Sequence, residues 1–205
     1  MYEMRVVVEG VAPFLFNRMT EAAAESFKSG QTGGTKTNDQ RVEEAKDKVY
    51  LDSHGLFLPA WNIKRGILDG AGKTGMKWNK RALWQHLSAM LFIQDVGRFT
   101  RAGIPLKEAD GLSQVPGRTP PKRGVATIVR RPVLTAGWQL RWSMSILDDG
   151  IDPKLVRASV EALGLQVGLG SWRPEAGRFL VLECEGAPSR GTAKPAAKAV
   201  APGQK

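Results

Sequence analysis

Residues able to do covalent chemistry are few in this chain. His54 stands in the turn Asp52-Ser53-His54-Gly55, and His86 lies in an amphipathic helical pattern as a helix-surface or core-edge residue. Neither has an evident nucleophile or carboxylate partner for proton transfer. A single cysteine, Cys184, rules out an internal disulfide framework and every multi-cysteine metal site, and two histidines do not complete a zinc site. Asp148-Asp149 reads as a turn. Gly70-Ala71-Gly72-Lys73-Thr74 imitates the end of a phosphate-binding P-loop, but Ile67 stands where that pattern needs glycine, and a helix rather than a strand precedes it. No metal and no cofactor is expected.

The chemistry the chain is rich in is cationic. It holds 30 Lys+Arg against 20 Asp+Glu, a formal charge of +10. Such a surface attracts polyanions, nucleic acid before anionic membrane. Lys64, Arg65, Lys73, Lys77, Lys80 and Arg81 face one acid, Asp69, with Trp61, Trp78 and Trp84 interleaved. That pattern is a phosphate track with stacking surfaces; it is also that of a solvated helix face with its tryptophans in the core. Arg118, Lys122, Arg123, Arg130 and Arg131 fall between Leu112 and Gly137 without an acid. Asn17 and Arg18, at the exit of the first strand, suit a phosphate or a local backbone cap. In Gly168-Leu169-Gly170-Ser171-Trp172-Arg173-Pro174, Gly168 and Gly170 let the backbone approach a phosphate, Arg173 adds a forked donor and Trp172 a stacking ring. The same loop also reads as a tight helix-to-strand turn plugged by Trp172.

These residues need elements to position them. Arg5 to Val11 is a β-branched, largely buried strand ended by Pro13. Residues 28–40 are rich in Gly and Thr and read as a mobile loop, followed by a short helical turn from Val42 to Tyr50. Leu56-Phe57-Leu58 is a short strand. Pro59 opens a helix from Ala60 to about Leu68, with Asp69 to Gly72 as its stop. A second helix runs from about Lys80 to Ile93, striped by Leu83, Leu87, Met90 and Leu91. Residues 103–137 form a long basic insertion with a hairpin near Ala126 to Val129. Trp138 to Leu147 alternates as a half-buried strand. Asp152 and Pro153 start a helix that Gly164 stops, and Arg178 to Cys184 is the last strand. Residues 186–205 form a disordered basic tail rich in Ala and Pro. Stripped of insertions, the order is close to β-α-β-β-α-β. The expected fold class is α+β: a modified ferredoxin-like or RRM-like domain over 1–185 with long basic insertions. No apolar run spans a bilayer and no signal peptide leads the chain, so a cytoplasmic protein without membrane contact is expected.

Three landmarks occur in order: Ala12-Pro13-Phe14-Leu15-Phe16-Asn17-Arg18, Leu58-Pro59-Ala60-Trp61-Asn62-Ile63-Lys64-Arg65-Gly66-Ile67, and the glycine loop through Phe179. Together they resemble the RAMP superfamily, most closely the backbone (Cas-seven-like) subunits of class 1 CRISPR effector complexes, or a phage or mobile-element relative. Ala60 and Trp61 replace the small polar residues usual at that helix start, and Trp172-Arg173-Pro174 is a bulkier filling of the loop. The resemblance implies a non-catalytic protein of antiviral defense that binds single-stranded RNA, or single-stranded DNA. It implies copies stacking along the strand or joining other effector subunits, with the basic insertion gripping the guide. It also carries an alternative: some such subunits cut RNA with a loop aspartate, for which Asp39 is the nearest candidate and Asp47 or Asp52 the next. A third reading is an interaction module that is basic for an acidic partner.

Overall fold

The computed structural model describes residues 1–29, 37–118 and 126–188. β1 (Tyr2–Gly10) buries Tyr2, Met4, Val6 and Val8 and exposes Glu3 and Arg5, the period of a strand with one covered face, and Val7 on the other face is buried as well. β2 (Phe14–Leu15) follows Pro13, then α1 (Glu21–Lys28). α2 (Asn38–Lys46) starts on a reciprocal cap: the Gln40 N–H donates to the Thr37 hydroxyl at 3.3 Å, and the Thr37 N–H donates to the Gln40 side chain at 3.0 Å. The loop expected over 28–40 is therefore shorter, since Lys28 closes α1 and Asn38, Asp39 and Gln40 open α2; residues 30–36 lie outside the described set.

β3 (Leu51–Asp52) and β4 (Gly55–Leu58) form a hairpin that leads into α3 (Ala60–Thr74). α3 runs straight through its expected stop. Gly70 is there for a close approach: a Cβ would strike the Ser159 carbonyl and Leu163. The true stop is Gly75, left-handed at φ 65°. The second helix also starts later than expected. Asn79 and Lys80 both have positive φ, 47° and 66°, and turn a small hairpin of β5 (Lys77–Trp78) and β6 (Arg81–Ala82) before α4 (Leu83–Met90) begins.

β7 (Leu91–Ile93), β8 (Gly97–Arg101), β9 (Ile104–Pro105), β10 (Gly111–Arg118), β11 (Ala126–Leu134) and β12 (Gln139–Ile146) come next. α5 (Pro153–Ala162) opens on the Asp152 carboxylate, which accepts the Lys154 N–H at 2.8 Å. Gly164 does not end it; a π-helical turn (Leu163–Val167) carries on to Gly168. Gly164 packs on β13 (Phe179–Pro188), where a Cβ would strike the Phe179 carbonyl. β13 pairs Gly186, Ala187 and Pro188 with Met4, Glu3 and Tyr2, so the strand takes the first three residues assigned to the tail. Residues 189–205 lie outside the described set.

The main sheet is antiparallel, in the order β13-β1-β12-β8-β4-β3, with β7 also pairing β12. β7 and β8 act as one strand split in two along β12. The core is then strand β1, helix α3, strand β7/β8, strand β12, helix α5, strand β13, and their spatial order is fourth, first, third, second. That is the α+β, ferredoxin-like arrangement. α3, α4 and α5 bury one face, with Ile63, Ile67, Leu83, Leu87, Val156 and Val160 against Val6, Val8, Leu140 and Met144. At one end Trp138, fully buried, stands edge-on to Phe14, Phe99 and Phe179, and its indole N–H donates to the Ala12 carbonyl at 2.9 Å.

The basic insertion supplies the β10–β11 hairpin, which joins β2 in a second, three-stranded sheet, β10-β11-β2. Its hairpin runs in register from Gly111↔Val133 to Arg118↔Ala126. Asp110 latches its base by accepting both terminal nitrogens of Arg101 and the N–H and hydroxyl of Thr135.

Candidate nucleic-acid interface

The three sequence landmarks meet in space. β2 is fixed by its aromatic rings: Phe14 and Phe16 lie 4.8 Å apart, edge-on, and both pack on Phe99. With those side chains committed inward, Asn17 emerges at the surface. The glycine loop is laced onto the same segment. The Ser171 N–H donates to the Leu15 carbonyl at 3.0 Å, the Gly177 N–H to the Pro13 carbonyl at 2.7 Å, and the Leu169 N–H to the Gly177 carbonyl at 2.9 Å. Gly170, at φ 78°, sits where a Cβ would meet the Leu15 carbonyl and the Phe14 ring at 2.8 Å. Gly168 is buried, and a Cβ there would meet the Ala176 carbonyl at 2.5 Å. Both glycines thus serve the seating of the loop, and Gly170 also borders the cleft beneath it.

That cleft holds about 190 Å3 and is lined by Asn17, Tyr50, Asn62, Arg65, Gly170, Ser171 and Arg173 over a floor of Phe14, Phe16, Leu58 and Leu169. Asn62 and Arg65 are one turn apart on α3, so the helix presents them on one flank. Arg65 and Arg173 converge on Asp69. Nε of Arg65 is 3.0 Å from one carboxylate oxygen and Nη1 of Arg173 is 3.4 Å from the other. Two forked guanidiniums, two side-chain amides, a serine and a tyrosine around a partly apolar floor suit a phosphodiester with its sugar.

Four residues singled out in the sequence therefore share one cleft: Asn17, Arg65, Gly170 and Arg173. Others lie elsewhere. Arg18 borders a wider pocket of about 710 Å3 with Thr20, Glu21, Gln40, Glu44 and Asp47. Lys64 turns to the other flank of α3, its ammonium 5.0 Å from the centre of the Phe92 ring. Lys73 and Lys77 are exposed near the far end of α3. Trp172 does not plug the core: it is 40% exposed beside Arg173. Trp61 and Trp84 are exposed too, whereas Trp78 packs against the core and stands edge-on to His86, 4.9 Å away. Arg118 ends β10, and Arg130 and Arg131 lie in β11. Arg131 is half-buried, its Nε meets no acceptor, and burial lowers its pKa. Lys122 and Arg123 lie outside the described residues. Asp39 is exposed in the first turn of α2 and does not line the cleft.

Sequence reasoning missed Asn62, Ser171 and Tyr50. Asn62 had a signal, its three-residue spacing from Arg65, and Ser171 lies inside the glycine loop itself. Tyr50 had none, because only the path of the chain ahead of β3 brings it to the cleft. Among the described residues no group of three His, Cys, Asp or Glu is placed to hold a metal ion. No helix among them is long and apolar enough to cross a membrane.

No protein-family model matches this sequence, and no curated protein matches it either. The fold does match solved structures. One is a chain of the cryo-EM structure of the Type III-B Cmr-beta bound to cognate target RNA, with a TM-score of 0.53 and 11% identity over 90% of this chain and 60% of that one. The chain thus spans less than two thirds of that chain's length. At this identity the likeness is one of fold: the architecture found here is also that of a subunit in an RNA-bound assembly.

Proposed function

We propose that the protein is a RAMP-type, non-catalytic binder of single-stranded nucleic acid, RNA in preference to DNA. It works in the cytoplasm, within a multi-subunit assembly or stacked along the strand with its own copies. The observation that carries this reading is the convergence of Asn17, Arg65, Gly170 and Arg173, from three separate segments, on one cleft. The fold shared with a chain of an RNA-bound Type III-B Cmr-beta supports it. So does the hairpin, in which Arg130 and Arg131 form no ion pair with the described residues; a half-buried guanidinium without an acid is disposed toward an added anion. Contacts of this kind grip the backbone and carry little base sequence information. Within this reading residues 1–188 act as one domain, and the basic tail beyond them adds salt-sensitive affinity.

The test is fluorescence anisotropy with labelled single-stranded RNA and DNA over a range of salt, with a gel of the same samples. Intact RNA, tighter binding of RNA than of DNA, and a steep negative salt slope are expected. Arg65→Gln and Arg173→Gln each weaken binding on the order of tenfold and flatten the salt slope by about one. Wild-type affinity in the double variant sinks the cleft; cleaved RNA sinks the non-catalytic assignment and turns attention to Asp39.

A further inference from the structure

Asp69 is the only acid between Asp52 and Asp95. It stands between the two arginines of the cleft. Its carboxylate takes Nε of Arg65 on one oxygen at 3.0 Å and approaches Nη1 of Arg173 with the other at 3.4 Å. The first contact is a four-residue helical pair that α3 makes by itself. The second joins α3 to the glycine loop, 104 residues further on. Asp69 takes few of the ten N–H donors the two guanidiniums carry together. Both side chains line the cleft with donors to spare.

We infer that Asp69 is a resident counter-ion: it occupies the anion position between Arg65 and Arg173 that a strand phosphate must enter, and so sets the affinity of the cleft. This rests on the cleft being where the strand binds. The electrostatics decide the sign. Two guanidiniums drawn to one point repel each other, and one carboxylate relieves that repulsion. Once a phosphate supplies the same negative charge, the carboxylate is a like charge a few ångströms away, held there by the helix that carries it. At a part-exposed site that repulsion is worth on the order of tenfold in affinity. A lone phosphate gains little against it. A strand engages further cations at the same time, so its phosphate displaces the carboxylate from the two arginines. Asp69 thereby makes the cleft discriminate a polynucleotide from a small anion.

The experiment is anisotropy with a labelled oligouridylate, competed by uridine monophosphate, on Asp69→Asn, Asp69→Ser and the wild type. The series is repeated in the Arg65→Gln/Arg173→Gln background, with thermal unfolding confirming that each variant folds. Both Asp69 variants are expected to bind the strand on the order of tenfold more tightly, with a salt slope steeper by about one. They should also let the monophosphate compete at lower concentration. In the double-arginine background the Asp69 changes should do nothing. If either Asp69 variant binds more weakly, or no differently, while the arginine variants still lose affinity, Asp69 merely positions the arginines; the inference is overturned and the cleft stands. If the arginine variants bind as the wild type does, the cleft itself is wrong, and the inference goes with it.

Discussion

Asp110 holds the base of the β10–β11 hairpin, and its replacement by alanine should be among the costlier single changes outside the core. The carboxylate accepts from Nη1 and Nη2 of Arg101 at 3.1 and 2.8 Å, from the Thr135 N–H at 2.7 Å and from the Thr135 hydroxyl at 2.6 Å. A hydrogen bond to a charged group nets about 1.5–3 kcal/mol. The side chains are 37% and 25% exposed for Arg101 and Asp110, which reduces the ionic part to about 1 kcal/mol or less. Loss of the acceptor also returns the exposed Thr135 N–H to water, at little further cost. Together these give a cost of about 2 kcal/mol near neutral pH. The donation from Arg101, then from Thr135, holds the Asp110 carboxyl well below the usual carboxylate range. A carboxyl depressed in the folded state stabilises the fold above its unfolded value of about 3.9, and that contribution drains away as pH falls toward the native value. The penalty of Asp110→Ala should therefore be full near pH 7 and smaller near pH 3. Urea unfolding of both proteins at the two pH values measures it, and Arg101→Ala, alone and combined, closes the double-mutant cycle. A penalty below about 1 kcal/mol at neutral pH, or one that does not change on acidification, refutes the latch.

Two further perturbations probe the packing that positions the site. Gly70→Ala gains helix propensity of about 1 kcal/mol yet drives a Cβ into the Ser159 carbonyl, which cannot swing aside. A net loss of about 2 kcal/mol and a lower Tm by circular dichroism are expected, and a raised Tm would show that α3 and α5 do not approach this closely. Burial pushes the Cys184 thiol up to about 11, so a disulfide reagent near neutral pH should label it slowly in the native protein and fast in urea. Equal rates in both conditions would mean that the face of β13 that carries it is not covered.

What the sequence revealed of this molecule follows the reach of local physics. The alternation of β12 and the Asp152-Pro153 start of α5 are encoded within a few residues of where they act, and they stand as read, whereas Ala126 to Val129, read as the site of a hairpin, lie within strand β11. The misplaced helix ends share one cause. Gly70 and Gly164 read locally as stops, but each lies where another element's backbone comes close, Ser159 for one and Phe179 for the other. A glycine that ends a helix and a glycine that admits a neighbour look the same in one dimension. The start of α4 was hidden in a similar way, since the two-residue turn at Asn79 and Lys80 carries no glycine to announce it. At the cleft, Arg65 and Arg173 were legible as cations with room around them. Their meeting at Asp69 was not, because it depends on how far the glycine loop is drawn down onto β2.

The ion pairs explain where the excess charge comes to rest. Arg98 is taken by Asp52, whose carboxyl that bond lowers, Arg101 by Asp110, and Arg157 by Glu161. Each of these arginines sits where two elements, or two turns of one helix, must be held together. Three acids, Asp52, Asp110 and Glu161, go to that work. Lys64, Lys73, Lys77, Arg130 and Arg131 form no ion pair with the described residues, and of these Arg131 is already partly stripped of water. A domain that neutralises its structural arginines while leaving a half-buried one bare keeps a standing electrostatic cost, which self-repulsion among the hairpin cations increases. An added polyanion running from the flank of α3 to β11 removes that cost. Asp69 then stands apart from the other acids: it joins two elements as they do, but both of its arginine partners line the cleft, so in the proposed reading its charge opposes an incoming strand.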